Sequence, residues 1–410
     1  MKILFVSSEI APFAKTGGLA DVAGTLPKAL KKSGHDIRLV MPKYASIDKK
    51  KYSLQNENDV PTLKIKIRND FKNANLSFSF LPSTDVKIYF ITNEHYFNRT
   101  ELYRNPKTNK DWDDNAERFI FFNKAVLEMI KELDWRPDII HINDWQASLI
   151  PLFLHWHHKN DSFFHGIKTL ITIHNIAYQG LFEKDVLELM NIEQALFYPG
   201  SSIEYWGKLN FLKIGILHSD CINTVSKTYA KEIQKSDEFG FGLQGVLSER
   251  SKDLYGIVNG VDYSIWSPES DKLIPANYSA NNLYGKTVNK QKLIHINQLE
   301  YDPDIPVIGI ISRLADQKGF DLINDIFEDM MKMGIQFILL GTGDAKYHTI
   351  FKSYAKKFPD KTGINLLFDN QLAHLIEAGA DMFLMPSKYE PCGLNQVYSL
   401  KYGTVPIVRS

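Results

Sequence analysis

Lys15-Thr16-Gly17-Gly18-Leu19-Ala20-Asp21-Val22 follows the apolar run Ile3-Leu4-Phe5-Val6 and leads into Leu19, Val22, Ala23, Leu26, Ala29 and Leu30. The run reads as a buried parallel strand, and the spacing after it as an amphipathic helix over 19–32. Two glycines therefore stand at a strand-to-helix turn. There the missing side chains let a ligand approach the backbone, and N–H groups at a helix N-terminus favour phosphate or sulfate. Lys15 adds a full positive charge beside them, so this turn points to a bound anion.

Outward from that turn, a second apolar run from Ile37 to Met41 gives the strand–helix–strand order of a doubly wound α/β unit. Period-two alternation at Leu63, Ile65, Ile67, then Leu76, Phe78, Phe80, then Val86, Ile88, Phe90 predicts hairpins grafted on the parallel sheet. A helix is expected from Asn115 to about Leu133, with Asp113 or Asp114 placed to cap it. The runs Ile139–Ile142 and Leu170–Ile173 end at Asp144 and His174, just past strand carboxyl ends, where ligands of open α/β sheets bind. After Tyr255-Gly256-Ile257-Val258 a second unit of the same kind begins. Its strands are expected at 307–311, 336–340, 364–368, 382–385 and 405–408, its helices at 322–333, 347–358, 372–378 and 395–402. The segment from Asp271 to Asn289 reads as an irregular loop. The domains are thus 1–255 and 256–410.

Composition narrows the function classes. At 410 residues the chain is long for one core, and 44% hydrophobic with 23% charged residues describes a globular protein. The 48 basic and 48 acidic side chains cancel, so the summed field offers no attraction to nucleic acid or an anionic membrane. The N-terminal apolar run is too short for a secretory signal or a membrane span, and a cytoplasmic location is the default expectation. Two cysteines, Cys221 and Cys392, make neither a disulfide framework nor a zinc pattern. His155, His157 and His158 lack accompanying carboxylates and read as a helix surface. No metal and no cofactor are expected.

The opening octapeptide, read with Lys2-Ile3-Leu4-Phe5-Val6-Ser7-Ser8-Glu9, resembles the N-terminus of bacterial glycogen synthases and plant starch synthases. Further matches follow in the family's order: Asp144-Trp145, Thr172-Ile173-His174-Asn175, Tyr178-Gln179-Gly180, Asn259-Gly260-Val261-Asp262, Ser312-Arg313-Leu314, Gln317-Lys318-Gly319 and Glu390-Pro391-Cys392-Gly393-Leu394. The resemblance implies the GT-B fold, two Rossmann-like doubly wound domains facing a cleft. It also implies retaining transfer of glucose from ADP-glucose to an α-1,4-glucan, glycogen or a malto-oligosaccharide.

Breaking a sugar nucleotide needs donors for the leaving diphosphate as its charge grows. By resemblance Arg313 and Lys318 serve there, with Lys15, Gly17 and Gly18 also on phosphate and Gly341 near the nucleotide. Glu390 is expected on the donor glucose, with Cys392, Gly393 and Leu394 beside it, and Phe368 on the base. His174 lies beside the reacting carbon in the family. Asp144 is a plausible acceptor for sugar hydroxyls, while Asp21, Glu9 and Asn259 are further contacts. A related transferase group carries a second Glu where this chain has Tyr398, a departure the bacterial glycogen synthases share. Many synthases have a histidine where this chain has Gln146.

Two other classes compete. A non-catalytic glucan-binding relative would have no use for a leaving-group clamp, and a nicotinamide-dependent dehydrogenase would need G-x-G-x-x-G spacing that the first turn lacks. A UDP-glucose-using synthase also fits the motifs. The family pattern continues past Val405-Pro406-Ile407-Val408-Arg409-Ser410 into a second Thr-Gly-Gly turn and further helices, so the chain is expected to be C-terminally truncated and weakly active or inactive.

Overall fold

The N-terminal apolar run forms the strand Lys2–Val6, buried from Ile3 onward, in the middle of a ten-stranded sheet. It pairs in parallel with Asp36–Pro42 on one side and Ile139–Asn143 on the other. Beyond Ile139–Asn143 come Lys168–Ile173, Cys221–Thr224 and Leu254–Gly256, all parallel. Beyond Asp36–Pro42 lies Lys87–Thr92, also parallel, and then the antiparallel Asp70–Phe80 with Gln55–Asn56 and Leu63–Ile67 against it. The hairpins expected over 63–92 are therefore an antiparallel extension of the parallel sheet. Chain order reverses between Lys2–Val6 and Ile139–Asn143, which makes the ends of those two strands the place where such a sheet binds ligands. The structure, a computed structural model, describes residues 1–108 and 110–409. Ser410, the last residue of the expected second domain, lies outside the described residues.

The helix after the glycine turn, Gly18–Lys32, buries Leu19, Ala20, Val22 and Ala23. A side chain at Gly24 would stand 2.6 Å from the Ala11 carbonyl oxygen, so helix and preceding loop meet backbone to backbone. Asp114 stands at the N-cap of Asn115–Glu132, but its carboxylate caps no helix N–H. Arg99 takes it instead, through Nη1 at 2.7 Å and Nη2 at 2.5 Å. A short antiparallel sheet of Glu204–Tyr205, Lys208–Asn210 and Leu181–Phe182 stands apart from the large one.

The first unit runs Met1–Gly260 and the second begins at Val261, whereas the sequence reading divides the chain after Tyr255. Five parallel strands form the second sheet, in the order Thr362–Asn365, Gln336–Leu340, Val307–Ile311, Met382–Met385, Val405–Val408. Chain order again reverses at one place, between Val307–Ile311 and Met382–Met385. Two expectations fail here. The supposed loop from Asp271 to Asn289 contains the start of a helix, Tyr284–Ile296. Gly285, Thr287 and Asn289 weaken its helical signal, and the fold restores it by burying Leu293 and Ile294 and by bonding the Asn289 side chain to both backbone groups of Ala276. The strand expected to reach Phe368 stops at Asn365.

The loops after Val307–Ile311 and Gln336–Leu340 continue the ladder beyond the strands. Ser312 N donates to Leu340 O, Leu314 N to Thr342 O and Asp344 N to Leu314 O. This close approach requires glycine. A Cβ at Gly341 would lie 1.9 Å from the Ser312 carbonyl oxygen, and one at Gly343 2.2 Å from that of Leu314. Gly341→Ala should therefore push the two loops apart and cost about 1–3 kcal/mol, the usual range for forced overpacking. A lower melting temperature checks this; an unchanged one would show that the loops separate freely.

Candidate active site

In the first unit the candidate residues gather at the carboxyl ends of three adjacent strands, Lys2–Val6, Ile139–Asn143 and Lys168–Ile173. Asp144 sits with φ at 53°, a backbone conformation costly for a non-glycine residue. Held that way, its Oδ1 accepts the His174 N–H at 2.7 Å, so the strand-end aspartate fixes the strand-end histidine. Burial pushes the Asp144 carboxyl up to about 7, with the nearby Glu9 charge adding to the rise against the His174 and Asn175 amides.

The His174 ring has a defined tautomer. Asn143 Nδ2 donates to Val6 O at 3.0 Å, which leaves Asn143 Oδ1 as the acceptor facing His174 Nε2 at 2.9 Å. Nε2 therefore carries the proton, and Nδ1 keeps a lone pair able to accept from a hydroxyl. Burial lowers the ring to about 3, with His141 contributing. His174 is a neutral imidazole at physiological pH and cannot act as a proton-donating cation. A second buried relay missed by sequence reasoning lies below it: His141 Nε2 meets Thr172 Oγ1 at 2.6 Å, and Thr172 donates to Asn223 Oδ1 at 2.5 Å.

The glycine turn differs from the bare anion cradle read from its sequence. Glu9 occupies it: Oε2 accepts the Thr16 N–H at 2.5 Å and the Gly17 N–H at 3.3 Å, while Oε1 accepts from the Thr16 hydroxyl at 2.6 Å and Tyr103 at 2.8 Å. Burial raises the Glu9 carboxyl even so. Lys15 reaches Asp21 Oδ1 at 2.7 Å. Two amides and the lysine are thus engaged within the chain, while the helix itself opens at Gly18, one residue past the last amide that Glu9 holds. Tyr103 gave no local signal, since it lies 94 residues from Glu9.

Gly180 lies against the Trp145 ring that follows Asp144. At Gly180, φ is 64° and a Cβ would stand 2.5 Å from the Trp145 indole, so only glycine lets the loop lie on that ring. Gln146 is buried with its Oε1 unpartnered among the described residues, while its carbonyl accepts from Asn123.

In the second unit the loops leaving Val307–Ile311 and Met382–Met385 meet at the reversal of chain order. Lys388 N donates to Gln317 O at 2.9 Å, and a Cβ at Gly319, where φ is 72°, would be 2.0 Å from Pro386 O. This seam brings Lys318 Nζ to 2.7 Å from Glu390 Oε2, which also accepts from Ser387 Oγ at 3.0 Å. Arg313 belongs to the same loop as Lys318. The helix Leu394–Lys401 starts beside them with Gly393 as its cap residue, and Asn395 Nδ2 anchors it to Ile311 O at 3.0 Å. Cys392 lies in the turn before it and is half-buried. Tyr398 is buried and stacks on Trp266 with ring centroids 4.1 Å apart, so the position of the other group's second Glu is structural here. Phe368 is 74% exposed beyond its strand, free of the core packing that a strand-end Phe would have had. Asn259 is half-buried next to the boundary between the units.

Among the described residues no group of three or more His, Cys, Asp and Glu could hold a metal ion, and no helix is long and apolar enough to cross a membrane.

Residues 2–249 match the family model described as starch synthase catalytic domain, and residues 291–410 match glycosyl transferases group 1. A glycogen synthase of Thermotoga maritima is 46% identical over 411 residues, covering all of this chain and 83% of that protein. A glycogen synthase of Thermosipho melanesiensis is 47% identical over 412 residues, with the same coverage. The catalytic domain of starch synthase IV from Arabidopsis thaliana, solved bound to ADP and acarbose, superimposes with a TM-score of 0.91 at 30% identity, over 99% of this chain and 82% of that one.

Proposed function

Because the chain belongs to the glycogen and starch synthase family of GT-B glycosyltransferases, we propose that it transfers glucose from ADP-glucose to the non-reducing end of an α-1,4-glucan with retention of configuration. The observation that carries this reading is the pairing of Lys318 with Glu390 at the chain-order reversal of the second sheet. A cation suited to diphosphate and a carboxylate suited to sugar hydroxyls stand 2.7 Å apart. A sugar diphosphate presents the same two chemistries side by side. The starch synthase IV domain that this chain resembles is bound to ADP, which favours adenine over uracil as the donor base. Phe368, exposed in the loop past the strand Thr362–Asn365, offers that base a ring to stack on.

In the first unit, His174 contributes a hydroxyl acceptor at Nδ1 and Asp144 holds it in place. Lys15 adds charge for phosphate once it leaves Asp21. Retention requires either a carboxylate nucleophile or attack on the face that the leaving group vacates. Each candidate carboxylate is already engaged: Glu9 by the glycine turn, Asp21 by Lys15, Asp144 by the His174 amide, Glu390 by Lys318. Front-face attack through an oxocarbenium-like state fits that arrangement, with the departing phosphate taking the proton of the acceptor hydroxyl.

The test is to incubate the chain with labelled ADP-glucose or UDP-glucose and glycogen, with and without EDTA. Label should enter glycogen from ADP-glucose with equimolar ADP release, and EDTA should leave the rate within about twofold, because cationic side chains supply the charge. Faster transfer from UDP-glucose would overturn the donor assignment. Loss of transfer in EDTA, restored by Mg²⁺, would overturn the metal-free mechanism.

A further inference from the structure

Arg118 is fully buried on the helix Asn115–Glu132, yet no carboxylate among the described residues is hydrogen-bonded to it. Its Nε donates to Tyr96 O at 2.7 Å and its Nη1 to Asn115 Oδ1 at 2.6 Å, while Nη2 has no partner among the described residues. The Tyr44 hydroxyl, likewise fully buried and without a partner there, lies within electrostatic reach of both Arg118 and Glu9. A guanidinium taken out of water with no anion in contact destabilises a fold, and an apolar side chain of similar volume would fill the space at less cost. Packing alone does not account for an arginine here.

The bonds that lead away from it do. Arg118 can only donate, so the amide oxygen of Asn115 faces it and Nδ2 faces the other way, donating to Tyr103 O at 2.9 Å. The Tyr103 hydroxyl donates to Glu9 Oε1 at 2.8 Å, and Glu9 holds the Thr16 and Gly17 amides. Arg118, Asn115, Tyr103 and Glu9 thus form an unbroken line from the helix to the glycine turn that carries Lys15. The stretch bearing Tyr103 lies between the helices Glu94–Phe97 and Asn115–Glu132 and belongs to no strand among the described residues, so side chains must place it. Arg99 grips Asp114 and stands over the Trp112 ring at 4.6 Å, and the Trp112 N–H also donates to Tyr103 O at 3.0 Å. Asn115 joins this loop to the buried guanidinium.

We propose that Arg118 is a positioning residue for glucosyl transfer: through Asn115 it sets the Tyr103 loop, and through Tyr103 it holds Glu9 on the glycine turn, so that Lys15 meets the donor phosphate in one geometry. Arginine suits the task because its planar fork fixes two acceptors, the Tyr96 carbonyl and Asn115 Oδ1, at a set angle. A turn held this way needs no reorganisation when the diphosphate departs. The purpose of the line rests on the glucan-transfer reading, but its contacts can be tested without transfer.

The discriminating substitution is Asn115→Asp. A carboxylate keeps the acceptor for Arg118, now as an ion pair, and suits the first position of a helix, but it has no N–H for Tyr103 O. If Arg118 and Asn115 serve only the fold, the variant should melt no lower than the parent and transfer glucose at the parent's rate. The proposal instead requires amide exchange in the segment Ala14–Leu19 to quicken and kcat/KM for ADP-glucose to fall, each by roughly three- to tenfold, the scale of one hydrogen bond, with the melting temperature held. Tyr103→Phe should quicken the same amides. The double variant, Asn115→Asp with Tyr103→Phe, should be no worse than Tyr103→Phe alone, because both changes cut one line. Arg118→Lys, which keeps the charge without the fork, should move the same two readouts in the parent background and neither once Tyr103→Phe is present. Additive effects in the double variants would overturn the proposal, as would exchange and kcat/KM within about twofold of the parent's in Asn115→Asp. Absence of transfer by the parent, with the exchange pattern as expected, would overturn the catalytic reading and leave the line of contacts standing.

Discussion

Lys318→Ala is expected to lower kcat/KM for ADP-glucose by roughly 10²–10³-fold, the loss seen when one preorganised donor to a developing negative charge is removed. ADP should bind roughly 10- to 150-fold more weakly, matching about 1.5–3 kcal/mol for a charge-assisted contact. The substitution acts twice. It takes the cation from the leaving diphosphate, and it leaves Glu390 with only the Ser387 hydroxyl as its described partner at Oε2, so the carboxylate's orientation toward the sugar loosens. Fold stability should barely move, because both members of the pair are about one-fifth exposed and ion pairs in contact with water contribute little. Titration calorimetry with ADP and initial rates of glucose transfer read the two effects separately. A variant that binds ADP as the parent does would remove Lys318 from the phosphate site. One that binds weakly and also melts far lower would make the pair a structural seam between the two loops.

Local pattern carried much of the fold, and long-range pairing carried the rest. The strand and helix around the glycine turn were legible because an unbroken apolar run and a 3.6-residue period are written in consecutive residues. The hairpins over 63–92 were legible through their period of two. Tyr284–Ile296 was not legible, since its apolar residues cluster at one end and its first half depends on Asn289 bonding to Ala276. For the site, Asp144, His174 and the Arg313–Gly319 loop stand at strand carboxyl ends, as the apolar runs before them led one to expect. What each side chain does there was hidden. Lys15 faces Asp21 and Glu9 fills the turn's first amides; neither pairing follows from the turn's composition, because an amide nest accepts a carboxylate of its own chain as readily as a phosphate. Lys318 and Glu390 lie 72 residues apart and meet only because two loops converge where chain order reverses.

Asp144 carries the largest expected effect on stability. Its carboxyl titrates near 7 in the fold against an ordinary 3.8. Between those values the unfolded chain has released the proton and the folded one retains it, so stability falls as pH rises, by about 1.4 kcal/mol for each pH unit. Over the interval this amounts to on the order of 4 kcal/mol, fully lost only above pH 7, and Glu9, raised by the same burial, adds to the slope in the same direction. Asp144→Asn removes the titration while its side-chain carbonyl can still accept the His174 N–H. The parent should therefore lose stability from pH 4.5 to 7.5 more steeply than the variant, and the two denaturation midpoints should diverge with rising pH in favour of asparagine. Equal slopes would mean that Asp144 is ionised in the fold well below neutrality, with the amides of His174 and Asn175 outweighing its burial. Transfer activity gives the complementary reading. If the charge on Asp144 serves only to hold His174, Asp144→Asn keeps most of its kcat; if the carboxylate takes a sugar hydroxyl proton or hydrogen bond in the transition state, kcat falls while the protein becomes more stable. A gain in stability paired with a loss in turnover is the signature of a buried charge retained for the reaction and not for the fold.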